Sequence, residues 1–326
     1  MMKLAPPPRI APVPGDRERP MWSVMIPTYK PSESLRETLQ SVFAARARCQ
    51  SSMQLEIVDD CSPGVDIAAL LKSWGLDDVA LYRRSENGGL GQCWNTCIER
   101  ARGQLVHILH HDDVVDPAFY ATLEALAIGN PDAGMLFTRS WHARGTEIWL
   151  NPCESDEPGV IADWLTRIST EQRLECPSVV VRRRAYEQIG GFDPALKYVI
   201  DWEMWVRLAA HSKVVYCPQA LATYREHVGS ETQRLRVAGA ITEDFANAIR
   251  RIEDTLSRAE HRKQRQLAVE FAIRKSSEAV AVAEGLKLRS VAAKELLSSI
   301  RHWGLRMGPL NLAKRLKWYF NLRRAA

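Results

Sequence analysis

No CxxC pair occurs in this sequence, and the absence of paired ligands at short spacing argues against a structural zinc site. The seven cysteines, Cys49, Cys61, Cys93, Cys97, Cys153, Cys176 and Cys217, are odd in number and widely spread. That distribution suits reduced thiols in a cytosolic protein better than a disulfide framework. No apolar run approaches the roughly 18–20 residues that a membrane-spanning helix needs. The opening stretch, MMKLAPPPRIAPVPGDRERP, lacks the apolar run of a secretory signal, and its proline content predicts a disordered leader over residues 1–20. Phosphate-binding fingerprints are missing too. There is no GxxxxGK[ST], and in ENGGLGQCWN the residue after Gly89 and Gly91 that should complete GxGxxG is Trp94.

What remains is an ordinary globular composition, 46% hydrophobic and 25% charged over 326 residues, enough for one sizeable core or two. Short apolar runs at 22–26, 55–58, 79–83, 104–109 and 133–138 alternate with helical patterns at 34–45, 67–74, 91–102 and 117–128. Ser32 and Ser34 are placed to cap the first helix. Alternation of this kind predicts a mainly parallel sheet with helices on both faces. After about Ser140 the pattern loosens. A loop at 151–158 leads to a short strand at 178–181, a helix stopped by Gly190 and Gly191, and a helix at 200–210. Two closing strands follow, at 213–216 and 220–225. Beyond Glu231 nearly everything is helical. The expected organisation is therefore an α/β domain over 21–230 and a helical region over 231–326.

The net charge of +5 is unevenly placed. Residues 299–326 carry seven Lys or Arg and no Asp or Glu, with Trp303, Trp318, Tyr319 and Phe320 among them. Such a helix suits an anionic membrane surface, and equally a solvated basic helix docked by its aromatics. No nucleic-acid motif accompanies the charge.

In an open parallel sheet, ligands bind beyond the carboxyl ends of the strands. The first strand ends in IPTYK, the second in VDDCSPG and the fourth in HHDD. These ends bring Thr28, Tyr29, Asp59, Asp60, His110, His111, Asp112 and Asp113 to one edge. Adjacent carboxylates repel, and two such pairs at separate strand ends call for a divalent cation of the oxygen-loving kind, Mg²⁺ or Mn²⁺, holding a substrate diphosphate. Gly88–Gly91 shapes the start of the next helix, with Asn95 turned to the crevice.

At this point the residues resemble a known family. SVMIPTYK, LEIVDDCSPG, ENGGLGQCWNTCIERARGQLVHILHHDD, VVVRRRAYEQIGGFDPAL, DWEMWVRLA and YREHVGS occur in the order found in family-2 glycosyltransferases of the GT-A fold, a Rossmann-like sheet. The resemblance spans residues 22–230 and leaves the helical tail outside. It implies an inverting transfer of a sugar from a nucleotide-sugar donor to a glycan or lipid-linked acceptor. It also implies Mn²⁺ or Mg²⁺ assistance and work in surface polysaccharide or glycoconjugate synthesis.

Carried over by position, the donor nucleotide falls to Thr28, Tyr29, Asp59, Asp60, Asn87, Asn95 and Asp112. The metal falls to Asp112, Asp113 and His227, and Asp201 is the catalytic base. His110, His111, Glu203 and Arg225 are helpers. His110 stands where the family's DxD motif opens with Asp, and Ile200 where many relatives have Glu before the base. The first departure keeps a second reading open: a catalytically silent module that binds a nucleotide or glycan. Cytoplasmic placement, peripheral on the inner face of a membrane, goes with the tail. Sugar, nucleotide and oligomeric state are read by no motif; the pocket walls at 140–177 decide the first two.

Overall fold

The computed structural model describes residues 6–15, 19–76, 79–227, 229–256, 261–307 and 309–324. They divide into two compact units. The first holds 1–164, 174–195 and 211–225; the second holds 165–173, 196–210 and 226–326. This differs from the expected single boundary near 230, because the segments around Arg173 and Asp201 group with the C-terminal helices.

The first unit is built on ten strands: β1 (Trp22–Thr28), β2 (Met53–Asp59), β3 (Ala80–Arg83), β4 (Leu105–Ile108), β5 (Val114–Val115), β6 (Ala133–Arg144), β7 (Glu147–Leu150), β8 (Gly159–Val160), β9 (Val179–Arg182) and β10 (Lys213–Glu226). They form one sheet in the order β3-β2-β1-β4-β9-β6-β10-β5, with β7 on β6 and β8 on β10. β3, β2, β1 and β4 are mutually parallel. β9 runs against both β4 and β6. All seven residues of β1 are buried, as expected of a central strand covered on both faces.

Helices Ser34–Arg46, Ile67–Ser73, Gly89–Arg100 and Phe119–Gly129 fill the crossovers. Asp66 caps the second of these, accepting from Ala69 N at 3.0 Å. The N-cap of the first is Glu33, which makes no side-chain capping bond, while Ser32 Oγ accepts from Ser34 N at 3.4 Å. The third begins at Gly89 rather than Gly91, and Gly89 takes a φ of +76°, a left-handed conformation that favours glycine.

Three features depart from the sequence expectation. β6 overruns its predicted end by six residues, into a hairpin with β7. The two closing strands are one, and Pro218 falls between the stretch of β10 paired to β8 and the stretch paired to β5. The leader, expected to be disordered, is docked over residues 6–15. Gly191 N donates to the Pro8 carbonyl at 2.8 Å, Arg183 donates to the Ala11 carbonyl at 3.0 Å, and Ile10 is buried. Proline removes amide donors but leaves carbonyl acceptors, and those are what dock. All seven cysteines are free, and Cys61 and Cys153 alone among them are not buried.

The second unit packs Ile200–His211 with Ile241–Thr255 and His261–Gly285 through Trp202, Phe245 and Phe271, whose rings meet edge to face at 5.6–5.9 Å. Glu295, in helix Arg289–Trp303, caps Ile241–Thr255 by accepting from Ile241 N at 2.8 Å and Thr242 N at 3.0 Å. The basic helix Pro309–Arg324 is held by Leu322, by Arg315 (to Ser299 Oγ, 2.8 Å) and by Trp318 (Nε1 to Glu284 Oε1, 2.8 Å). Among the described residues, no helix is long and apolar enough to cross a membrane.

Candidate active site

The carboxyl ends of β1, β2 and β4 deliver their polar residues to one edge, as the parallel register requires. Thr28 is level with Asp59, and Asp60 N donates to the Thr28 carbonyl at 2.8 Å. Tyr29 turns outward and is 41% exposed. Both acids at the end of β2 are buried and internally compensated. Asp59 accepts from Ser62 N (3.0 Å) and Oγ (2.6 Å) and pairs with Arg83 at 3.3 Å. Asp60 accepts from Gly88 N at 3.1 Å and Gly89 N at 2.9 Å, and pairs with Arg84. Asn87 donates to the Asp60 carbonyl at 3.0 Å. The glycine turn is thus clamped to the end of β2 by a carboxylate in an amide cradle, with Arg84 as counter-ion.

Beyond β4, His110, Asp112 and Asp113 bring one ligand atom each within 4.8 Å of the others. Asp113 is wholly buried. Its Oδ1 accepts from Arg225 N at 2.8 Å, while its Oδ2, 3.4 Å from His110 Nδ1, lacks a hydrogen bond. His110 Nε2 is likewise buried without one. Burial, with Asp112 adding, pushes the Asp113 carboxyl up to about 6, against the pull of His110 and the Arg225 amide. Burial opposes charge on His110, but Cys176 and Asp113 beside it outweigh that and raise its pKa well above the imidazole range. Two orphaned buried ligand atoms, one on an imidazole and one on a carboxylate, fit a site for a divalent cation. The mixed nitrogen and oxygen donors suit Mn²⁺ and tolerate Mg²⁺.

Several predicted residues are placed elsewhere. Asn95 does not line the crevice; it bonds the main chain of Phe192 from both ends of its amide, at 2.9 and 2.7 Å. Glu203 is buried in a two-point pair with Arg207, both bonds 2.8 Å, which leaves it a helix cross-link. Arg225 sends its side chain to the Asp112 carbonyl and to Glu37 and so braces the acidic turn. The three arginines of the matched run VVVRRRAYEQ, which no reading placed in the site, bond main-chain carbonyls: Arg182 that of Ala133, Arg183 those of Ala101 and Ala11, and Arg184 that of Pro131. His111 lies half-buried beside the cluster. Asp201 and His227 belong to the second unit. Asp201 stands in the first turn of its helix and accepts from Gln172 Nε2 at 2.7 Å, and the His227 carbonyl accepts from Ser230 N.

Three residues escaped the sequence reading. Trp94 stacks on His110, ring centroids 5.0 Å apart and planes 22° off parallel, which fixes the imidazole. Its position five residues into a helix entering from the site edge was the available signal. Arg84 and Thr38 (Oγ1 to the Asp113 carbonyl, 2.7 Å) gave none.

A mixed sheet whose parallel block β3-β2-β1-β4 gives way to antiparallel pairing at β9, with acids gathered at the carboxyl edge of that block, is the architecture of the GT-A fold. The family model for glycosyl transferase family 2 matches residues 23–189, just over half of the chain, and the chain belongs to that family. It is a glycosyltransferase. It is 31% identical over 121 residues to a protein of Sinorhizobium fredii, spanning 36% of this chain but only 13% of that one. The structure is similar to Staphylococcus aureus TarS 1–349 in complex with UDP-GlcNAc, with a TM-score of 0.65 and 19% identity, over 93% of this chain and 89% of that one. It is also similar to a Pyrobaculum calidifontis mannosyltransferase in complex with GDP-Man and Mn²⁺, with a TM-score of 0.53 and 17% identity, over 92% and 91%. At these identities the likeness concerns the fold.

Proposed function

We propose that the protein is an inverting glycosyltransferase that moves a sugar from a nucleoside-diphosphate donor to a glycan or lipid-linked acceptor in surface polysaccharide or glycoconjugate synthesis. The observation that carries this is the cluster of His110, Asp112 and Asp113 with its two orphaned buried atoms at the carboxyl edge of the sheet. That the two solved relatives hold UDP-GlcNAc, and GDP-Man with Mn²⁺, supports a donor of the same class.

Thr28, Tyr29 and the Asp59–Asp60 turn take the nucleoside, and His110, Asp112 and Asp113 hold the cation. A divalent cation there offsets charge growing on the leaving diphosphate. Asp201 accepts the proton of the acceptor hydroxyl on the face of the sugar opposite the leaving group, as inversion demands. Its place in the first turn favours the ionised carboxylate, and Gln172 fixes its orientation. The basic helix Pro309–Arg324 leaves Leu310, Leu316 and Phe320 exposed and sets the enzyme beside a lipid-linked acceptor at the inner face of a membrane.

Calorimetric titration with UDP, GDP and dTDP, each with Mn²⁺ and with EDTA, tests the reading. One nucleotide bound only with metal is the expected result, lost in Asp113→Asn. Metal-independent binding transfers the phosphate to the imidazoles. No binding at all favours the silent module.

A further inference from the structure

The overrunning hairpin carries a second group of polar and aromatic side chains. His142 on β6 pairs across the hairpin with Trp149 on β7, and their rings stack with centroids 4.1 Å apart and planes 16° off parallel. Tyr224 on β10 meets His142 edge-on at 4.8 Å and 75°. Glu175 Oε1 lies 3.5 Å from His142 Nδ1. The Arg144 guanidinium stands 5.2 Å from the centre of the Trp149 ring. His142, Trp149, Glu175 and Tyr224 are half-buried, Arg144 is exposed, and all five lie outside the apolar core.

Two features fix this group beside the metal cluster. Val181 on β9 pairs with both Val106 and Met135, so in register count His110 is level with position 139. His142 is then three residues further out, about 10 Å along the strand direction, and two strands across the sheet from β4, about another 10 Å. That separation leaves room for a sugar ring between the two. The group is also tied to the cluster through neighbours in sequence. Cys176, next to Glu175, lies against His110, and Arg225, next to Tyr224, donates its amide to Asp113.

We infer that His142, Trp149, Tyr224 and Glu175 form the wall that receives the saccharide of the acceptor, an inference that rests on the proposed transferase. Aromatic faces take the apolar C–H face of a pyranose, and a carboxylate beside an imidazole takes its hydroxyls. A phosphate would meet the Glu175 carboxylate.

The test follows nucleoside diphosphate release from UDP-glucose, UDP-GlcNAc, GDP-mannose and dTDP-rhamnose by the full chain with Mn²⁺. Release is measured alone and with the methyl glycosides of glucose, galactose, mannose and N-acetylglucosamine. At least one glycoside accelerates release. Trp149→Ala and Glu175→Gln each raise its half-saturating concentration about tenfold, and Trp149→Phe recovers most of the loss. Ile148→Ser, at an exposed position on the other face of the same strand, leaves the response as it is. A glycoside response indifferent to Trp149→Ala and Glu175→Gln overturns the inference. So does donor hydrolysis that no glycoside accelerates. If no donor is turned over, the transferase reading itself falls, and the wall with it.

Discussion

His107 shows how far one side chain's partners decide its chemistry. It is fully buried, with Nε2 3.0 Å from the Pro177 carbonyl and Nδ1 3.1 Å from the Tyr120 hydroxyl. Nε2 therefore carries the proton, and Nδ1 accepts from Tyr120. Burial, reinforced by His110 and only partly opposed by the Pro177 carbonyl, lowers its pKa to about 3. Between the ordinary value near 6.5 and about 3, the unfolded chain binds a proton that the native state refuses. Stability is complete above that window and falls as pH is lowered through it, by a few kcal/mol in all. Urea midpoints measured at pH 7 and pH 5 should fall in the native protein, and fall less in His107→Gln, which keeps one donor and one acceptor. The sequence could identify His107 as core because it interrupts an apolar strand. It could not do the same for Asn95 or the Arg182–Arg184 run, whose partners are main-chain atoms far along the chain.

At the scale of elements, the strands and their acid-bearing ends were legible because period and strand-end chemistry are local. What holds those elements is not. Asp244, in helix Ile241–Thr255, accepts from Lys197 N, Tyr198 N and Val199 N at 2.7–3.1 Å, immediately before the helix that carries Asp201. Amide donors have no side-chain signature, so nothing in the sequence joined residue 244 to residue 197. Asp244→Ala strands three amides at that helix start and costs about 1–3 kcal/mol of stability. If the cradle also aims Asp201, donor turnover falls in Asp244→Ala. It then falls no further when Asp244→Ala is added to Asp201→Asn. Equal loss in both backgrounds would mark Asp244 as a stabilising residue only.

For the molecule as a whole, the family match ends at 189, whereas the candidate base and the basic helix lie beyond it, in the second unit. The tail's two sequence readings are complementary. One side is docked through Leu322, Arg315 and Trp318; the other leaves Leu310, Leu316 and Phe320 in solvent, with Lys314 and Lys317 exposed among them. Each exposed cation near an anionic surface contributes about 1 kcal/mol, weakened by salt. Lys314→Glu with Lys317→Glu should therefore reduce co-sedimentation with phosphatidylserine vesicles well over tenfold at low salt. Neutral phosphatidylcholine vesicles serve as the comparison. Equal sedimentation of the two forms would remove the membrane role.

The thiol inventory has a practical side. Five of the seven cysteines are sealed inside the protein, which leaves Cys61, directly after Asp60, and Cys153, in the loop after β7. A maleimide dye or spin label added to the native chain would find these two addresses, one at the turn after β2 and one near the hairpin. The molecule is already equipped for a ruler across the carboxyl edge of its own sheet, with no cysteine to add or remove.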